Sequence, residues 1–100
     1  MTKKTIKMFT VNLPILVLKE GKSFIAYSPA LDLSTCGSTE KEAKKMFEEA
    51  LQVFLEELTE AGTLEEVLLN LGWEKKARQN WQPPILVDYD SKKVTIPVAA

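Results

Sequence analysis

The sequence predicts an α+β domain: an antiparallel sheet of about four strands, packed by one long helix and followed by a short second helix. Three observations predict it. Short alternating runs rich in β-branched and aromatic residues fill the first third of the chain and are punctuated by Pro14, Gly21 and Pro29. A capping signal at Thr39 then opens a long stretch in which apolar residues recur at three- and four-residue steps. A second signal of the same kind at Thr63 opens a shorter one.

The elements follow in order. In residues 6–11, Ile6, Met8 and Thr10 alternate with Lys7, Phe9 and Val11, which predicts a first strand. Pro14 has no amide to donate to a ladder, so it marks an edge or bend, and the extended run resumes over residues 15–19. Residues 20–23, around Gly21, predict a hairpin turn. The return strand covers residues 24–28, with Phe24, Ala26 and Ser28 on one face and Ile25 and Tyr27 on the other. Pro29 ends it, and residues 31–36 predict the next strand of an antiparallel meander.

Thr39 and Glu42 have the spacing of a capping box, in which each side chain satisfies an orphan amide at the start of a helix. Ala43, Met46, Phe47, Ala50, Leu51, Phe54, Leu58 and Ala61 then form one face, which is expected to lie on the sheet, while Glu48, Glu49, Glu56 and Glu57 line the other. Gly62 is the natural stop, because it accepts the left-handed conformation without a Cβ clash. Thr63 and Glu66 repeat the box, Leu64, Val67, Leu68 and Leu71 give the short helix its apolar side, and Gly72 closes it with Trp73 tucked beneath. Residues 74–84 are polar and end in Pro83 and Pro84, as a traversing loop would. Residues 85–89 and 92–98 flank Asp90 and Ser91 and predict one or two further strands.

One hundred residues enclose one modest core, so a single domain is expected over the whole chain, with no separate DNA-binding domain. Thirteen lysines and arginines against 14 acidic residues give a net charge of −1, which provides no broad basic field for a phosphate backbone. Arg78 is the single arginine, and the groups Lys3, Lys4, Lys7 and Lys75, Lys76, Arg78 read as solvated surface, so nucleic acid is not the expected partner. The apolar residues after the first lysines alternate with polar ones and are broken by Asn12 and Pro14, which excludes a signal peptide or membrane span there. Cys36 is alone, so no internal disulfide or cysteine zinc site forms; this suits a reducing cytoplasm and predicts a half-buried structural thiol.

The chemistry available is narrow. Ser28, Ser34, Thr35 and Ser38 lack a histidine to activate them, since the chain contains none. The glycines at 21, 37, 62 and 72 form no phosphate loop and sit where turns or helix ends need them. The only aspartates, Asp32, Asp88 and Asp90, could hold a divalent metal for a ribonuclease H-type nuclease if the fold gathered them, but local turn bonding accounts for Asp32 and Asp90 more simply. Trp73 and Trp81 without a basic groove are expected to cover the open end of the core rather than stack on bases. No catalytic residue, metal ligand or cofactor site is assigned.

The segment FIAYSPALDLSTCGSTEKEAKKMFEEAL, residues 24–51, resembles the HicB-like antitoxin family, whose members run from a strand through Tyr, Pro, Leu, Gly and Thr to Glu-Ala and a long helix. Here those places are held by Tyr27, Pro29, Leu31, Gly37, Thr39, Glu42 and Ala43, with a second Glu-Ala at Glu49 and Ala50. GTLEEVLLNLGW, residues 62–73, is similar to the second helix of longer members, so the likeness reaches from about Leu13 to Trp73. The resemblance implies a partial ribonuclease H-like fold and a cytoplasmic, non-enzymatic protein that binds a HicA-type, mRNA-cleaving toxin and covers its catalytic surface. Such toxins use a histidine; this chain has none and would be the inhibitor. Residues 73–100 show neither the helix-turn-helix nor the ribbon-helix-helix pattern that many members append. The expected docking residues are Tyr27, Ser28, Pro29, Leu31 and Asp32, which straddle a strand connection where an aromatic ring and apolar groups stand beside exposed backbone. Open sheet edges also predict a homo-oligomer. A metal-dependent nuclease and an oligomeric scaffold with no toxin are the competing readings.

Overall fold

The computed structural model describes residues 8–77 and 80–99. Three strands, β1 (Leu16–Glu20), β2 (Ser23–Ser28) and β3 (Leu33–Gly37), form one antiparallel sheet in sequential order. Glu20 pairs with Ser23, so the first connection has two residues, and Gly21 takes φ 61° at its first position as a tight hairpin requires. The register places Val17, Ala26 and Thr35 side by side on one face and Leu18, Ile25 and Cys36 on the other.

The first face is covered by α1 (Glu40–Ala61). Thr39 caps it as expected, its Oγ1 accepting from the Glu42 amide at 3.0 Å. The reciprocal half of the box is different, because the Glu42 carboxylate accepts from the amide and hydroxyl of Ser38, one residue earlier. Gly62, at φ 71°, ends the helix: its amide donates to the Thr59 carbonyl and that of Thr63 to Leu58. α2 (Leu64–Asn70) starts without the expected second box. The Thr63 backbone, at φ −110° and ψ 5°, lacks the extended conformation that lets a capping side chain reach forward.

Residues 74–84, expected as a loop, contain a small hairpin of β4 (Glu74–Lys75) and β5 (Trp81–Gln82). Lys75 holds it to α2 through Glu65 at 2.9 Å, with its ammonium 5.8 Å from the centre of the Trp81 ring. Two predicted strand regions are corrected. Residues 8–15 form no strand, because Val11, Leu13 and Ile15 are drawn against the core instead; Ile6 and Lys7 lie outside the described residues, as do Lys3, Lys4 and Arg78. Residues 85–99 have strand-like sequence but no strand beside them, so the main sheet has three strands rather than about four.

Two apolar clusters make the core. Ala26, Ala43 and Phe47 lie between the sheet and α1, and Ala30, Leu31, Leu68, Trp73 and Trp81 close one end; Leu33 and Leu51 touch both. β3 meets the start of α1 without a gap: a Cβ at Gly37 would stand 2.6 Å from the Ala43 nitrogen, and Thr35 Oγ1 donates to the Ala43 carbonyl at 3.0 Å. The helix face is narrower than its sequence pattern. Met46 and Ala61 are exposed, since three strands at about 4.8 Å spacing are no wider than one helix and leave its flank overhanging.

The molecule measures 70 × 27 × 24 Å, with a radius of gyration of 17.5 Å against about 13 Å for a compact chain of this length. A 22-residue helix accounts for only about 33 Å of the long axis. Residues 85–99 are exposed and in no strand or helix, and they leave the globular part as an arm.

Candidate functional site

The face of the sheet opposite α1 presents Leu16 and Leu18 from β1, Ile25 and Tyr27 from β2, and Ser34 and Cys36 from β3. Leu16, Leu18, Ser34 and Cys36 are exposed and the other two half-buried, so this face is open to solvent. Cys36 is therefore not the half-buried thiol predicted, because alternation along β3 turns it to the open side.

At one end of this face lies the turn between β2 and β3. Asp32 occupies the left-handed region at φ 50°, a conformation that aspartate tolerates better than most side chains. Its carboxylate accepts a hydrogen bond from the Tyr27 hydroxyl at 3.0 Å, across five residues. The sequence reading had Asp32 bonding local backbone; the partner is instead the ring at the end of the preceding strand. Asp90 does behave as expected, accepting from the Ser91 amide at 2.7 Å.

The predicted docking set is split by the fold. Tyr27, Pro29 and Asp32 face outward, whereas Ser28 is fully buried and Leu31 only 3% exposed, so these two are corrected from surface to interior. Ser28 shares the inward face of β2 with Ala26, and its hydroxyl has no hydrogen-bond partner among the described residues. Leu31 and Ala30 anchor the turn in the tryptophan cluster, where Trp73 Nε1 donates to the Ala30 carbonyl at 2.7 Å. Both tryptophans are buried there, covering the end of the core.

Donation to Asp32 holds the Tyr27 phenol above its ordinary pKa, with desolvation and the carboxylate's negative charge acting in the same direction. The neutral phenol is the form that fits the turn. Its contribution is complete below the ordinary tyrosine value and is lost as pH rises through the raised folded value. In a Tyr89→Phe background, Asp32→Asn is expected to lower the Tyr27 midpoint, read from phenolate ultraviolet absorbance. An unchanged midpoint would mean that the Tyr27–Asp32 bond does not persist in solution.

The three aspartates are not brought together: Asp32 is on the turn, Asp88 and Asp90 on the arm, and no cluster of three or more His, Cys, Asp or Glu side chains suited to a metal occurs among the described residues. Glu74 pairs with Lys76 at 2.8 Å, which lowers its pKa, and this pair serves only the small hairpin. No described helix is long and apolar enough to cross a membrane. What the site supplies is a flat apolar patch ending in an aromatic hydroxyl and a carboxylate, a surface suited to binding. No family model matches the chain, and no curated protein or solved structure matches it either.

Proposed function

We propose that the protein is a non-enzymatic, cytoplasmic inhibitor of the HicB-like antitoxin kind, which docks on a HicA-type mRNA-cleaving toxin and occludes its catalytic surface. The observation that carries this reading is the open sheet face ending in the Tyr27–Asp32 pair. Tyrosine supplies contact area and a polar tip at little entropic cost, and Pro29 stands exposed beside it on the turn. The exposed Asp32 carboxylate keeps capacity to accept a further hydrogen bond, from a cationic or histidine side chain of a ribonuclease. The sequence cassette that resembles the family thus supplies the platform, and Ala30 and Leu31, anchored in the tryptophan cluster, hold Tyr27 and Asp32 at its rim. The ribonuclease H-like character of the sheet and helix belongs to this proposal too.

The test takes the product of the reading frame beside this chain, expected to be small, basic and histidine-containing, co-expresses it with this chain and assays RNA cleavage. Tyr27→Ala combined with Asp32→Ala is expected to weaken binding by at least about tenfold and restore cleavage, while far-ultraviolet circular dichroism is unchanged. Leu31 stays intact in this variant, because its loss would act through the core. Full protection by the double variant would remove the site from the interface. A neighbouring product that neither binds the chain nor cleaves RNA would remove the antitoxin reading itself.

A further inference from the structure

Residues 85–99 form an arm whose apolar side chains stand exposed. Ile85, Val87, Tyr89, Val94, Ile96 and Val98 are each 68% exposed or more. Their order is not that of a solvated tail. Ile85, Val87 and Tyr89 alternate with Leu86 and Asp88, and Val94, Ile96 and Val98 alternate with Thr95 and Pro97, the period-2 pattern of strands with one buried face. A turn at residues 90–93 would set Tyr89 opposite Val94 and Val87 opposite Ile96, so both runs share a single apolar side.

The globular part lacks what the arm has. β1 is an edge strand, paired only with β2, and its Leu16 and Leu18 are 37% and 53% exposed on the open face. β3 at the opposite edge presents Ser34 and Cys36 to that face, so β1 is the apolar edge. We infer that two copies of this chain exchange arms, each laying residues 85–98 along β1 and the open face of the other, with Ile85, Val87, Val94 and Ile96 against Leu16, Leu18 and Ile25.

The second copy is favoured over the chain's own sheet by the geometry at the root of the arm. Trp81 is fixed in the core cluster, and Pro83 and Pro84 follow at once. Paired prolines restrict the backbone at the root to extended conformations, and the residues beyond them lie exposed and unpaired with β1 of the same chain. Reciprocal exchange also closes with twofold symmetry and leaves neither arm nor either β1 edge unused. Two arms with the sheet faces beneath them reach the 20 to 30 residues a side, about 800 Å² per partner, that stable interfaces use.

The proposal is tested on the full chain by light scattering at tens of micromolar. A dimer is expected, and Val87→Asp combined with Ile96→Asp should raise its dissociation constant at least about tenfold, as should Leu18→Glu on the receiving face. All three positions are exposed, so the fold should survive both changes. Mixing the two variants separates exchange from other dimers: the Leu18→Glu chain has an intact arm and the arm variant an intact face, so a one-armed heterodimer should form where neither associates alone. A monomeric wild-type chain, with its arm free or docked on its own sheet, overturns the inference. So does a dimer that survives both variants, or a mixture that stays monomeric.

Discussion

Trp73→Ala is expected to destabilise the protein by about 3–5 kcal/mol, the range for deleting a large buried aromatic side chain with its cavity. Domains of this size hold only about 5–15 kcal/mol, so this substitution brings the chain close to unfolding. The size of the effect follows from what the ring joins. Trp73 is 6% exposed and packs in one cluster with Ala30 and Leu31 of the β2–β3 turn, Leu68 of α2 and Trp81 of β5. It ties together segments that are otherwise far apart in sequence. Its indole donates to the Ala30 carbonyl, 43 residues away, and that carbonyl lies in a buried environment. Trp73→Phe keeps much of the apolar contact but leaves the carbonyl without its donor, an expected loss of about 1–3 kcal/mol. Urea unfolding followed by circular dichroism should show both losses as a shifted midpoint at constant slope. A loss below about 1 kcal/mol for the alanine variant would show that the turn is held by other contacts.

This contact also explains how the site is presented. Ala30 and Leu31 are pulled inward by the tryptophan cluster, and the residues on either side, Pro29 and Asp32, are turned outward. Asp32 then enters the left-handed region, from which its carboxylate meets Tyr27. The Tyr27–Asp32 rim is thus positioned by the second half of the chain, although every residue on it comes from the first.

That division decides what could be read from the sequence. The β1–β2 hairpin, the inward row Phe24, Ala26 and Ser28, the Thr39 cap and the Gly62 and Gly72 stops all depend on contacts a few residues apart or on glycine conformations, and all were legible. The second capping box was not, because Thr63 inherits its backbone from the end of α1. Period-2 alternation marked residues 85–98 as strand-forming, and nothing local could say that no strand of the same chain would receive them. Ser28 and Leu31 were misplaced as surface for a related reason. A residue beside a proline-bounded turn is equally consistent with facing solvent or anchoring the turn, and only the position of Trp73 and Trp81 decides it. The Tyr27–Asp32 bond had a faint signal, an aspartate shortly after a proline-ended strand, but its partner depends on the positive φ that the anchored turn imposes.

Phe47→Ala is expected to cost about 3–5 kcal/mol, whereas Met46→Ala, its immediate neighbour, should stay near the half-kilocalorie range of surface changes. The two residues differ by one step of the helix, about 100° of rotation. That step carries Phe47, 4% exposed, onto Ala26 and Ala43 beneath the sheet, and Met46, 43% exposed, onto the overhanging flank. Ala26 and Ala43 are both fully buried small residues, and their size is what allows the phenyl ring to reach the middle of the sheet. Ala26 and Ala43 cannot reach into the space when the ring is removed, so a cavity term adds to the lost burial. The pair of variants therefore measures the width of the covered face directly by urea unfolding. Equal losses at the two positions would mean that α1 is rotated on the sheet, with Met46 sharing the core. A small loss at both would mean that the helix is held mainly at its Trp73 end, where Leu51 and Phe54 meet the second cluster.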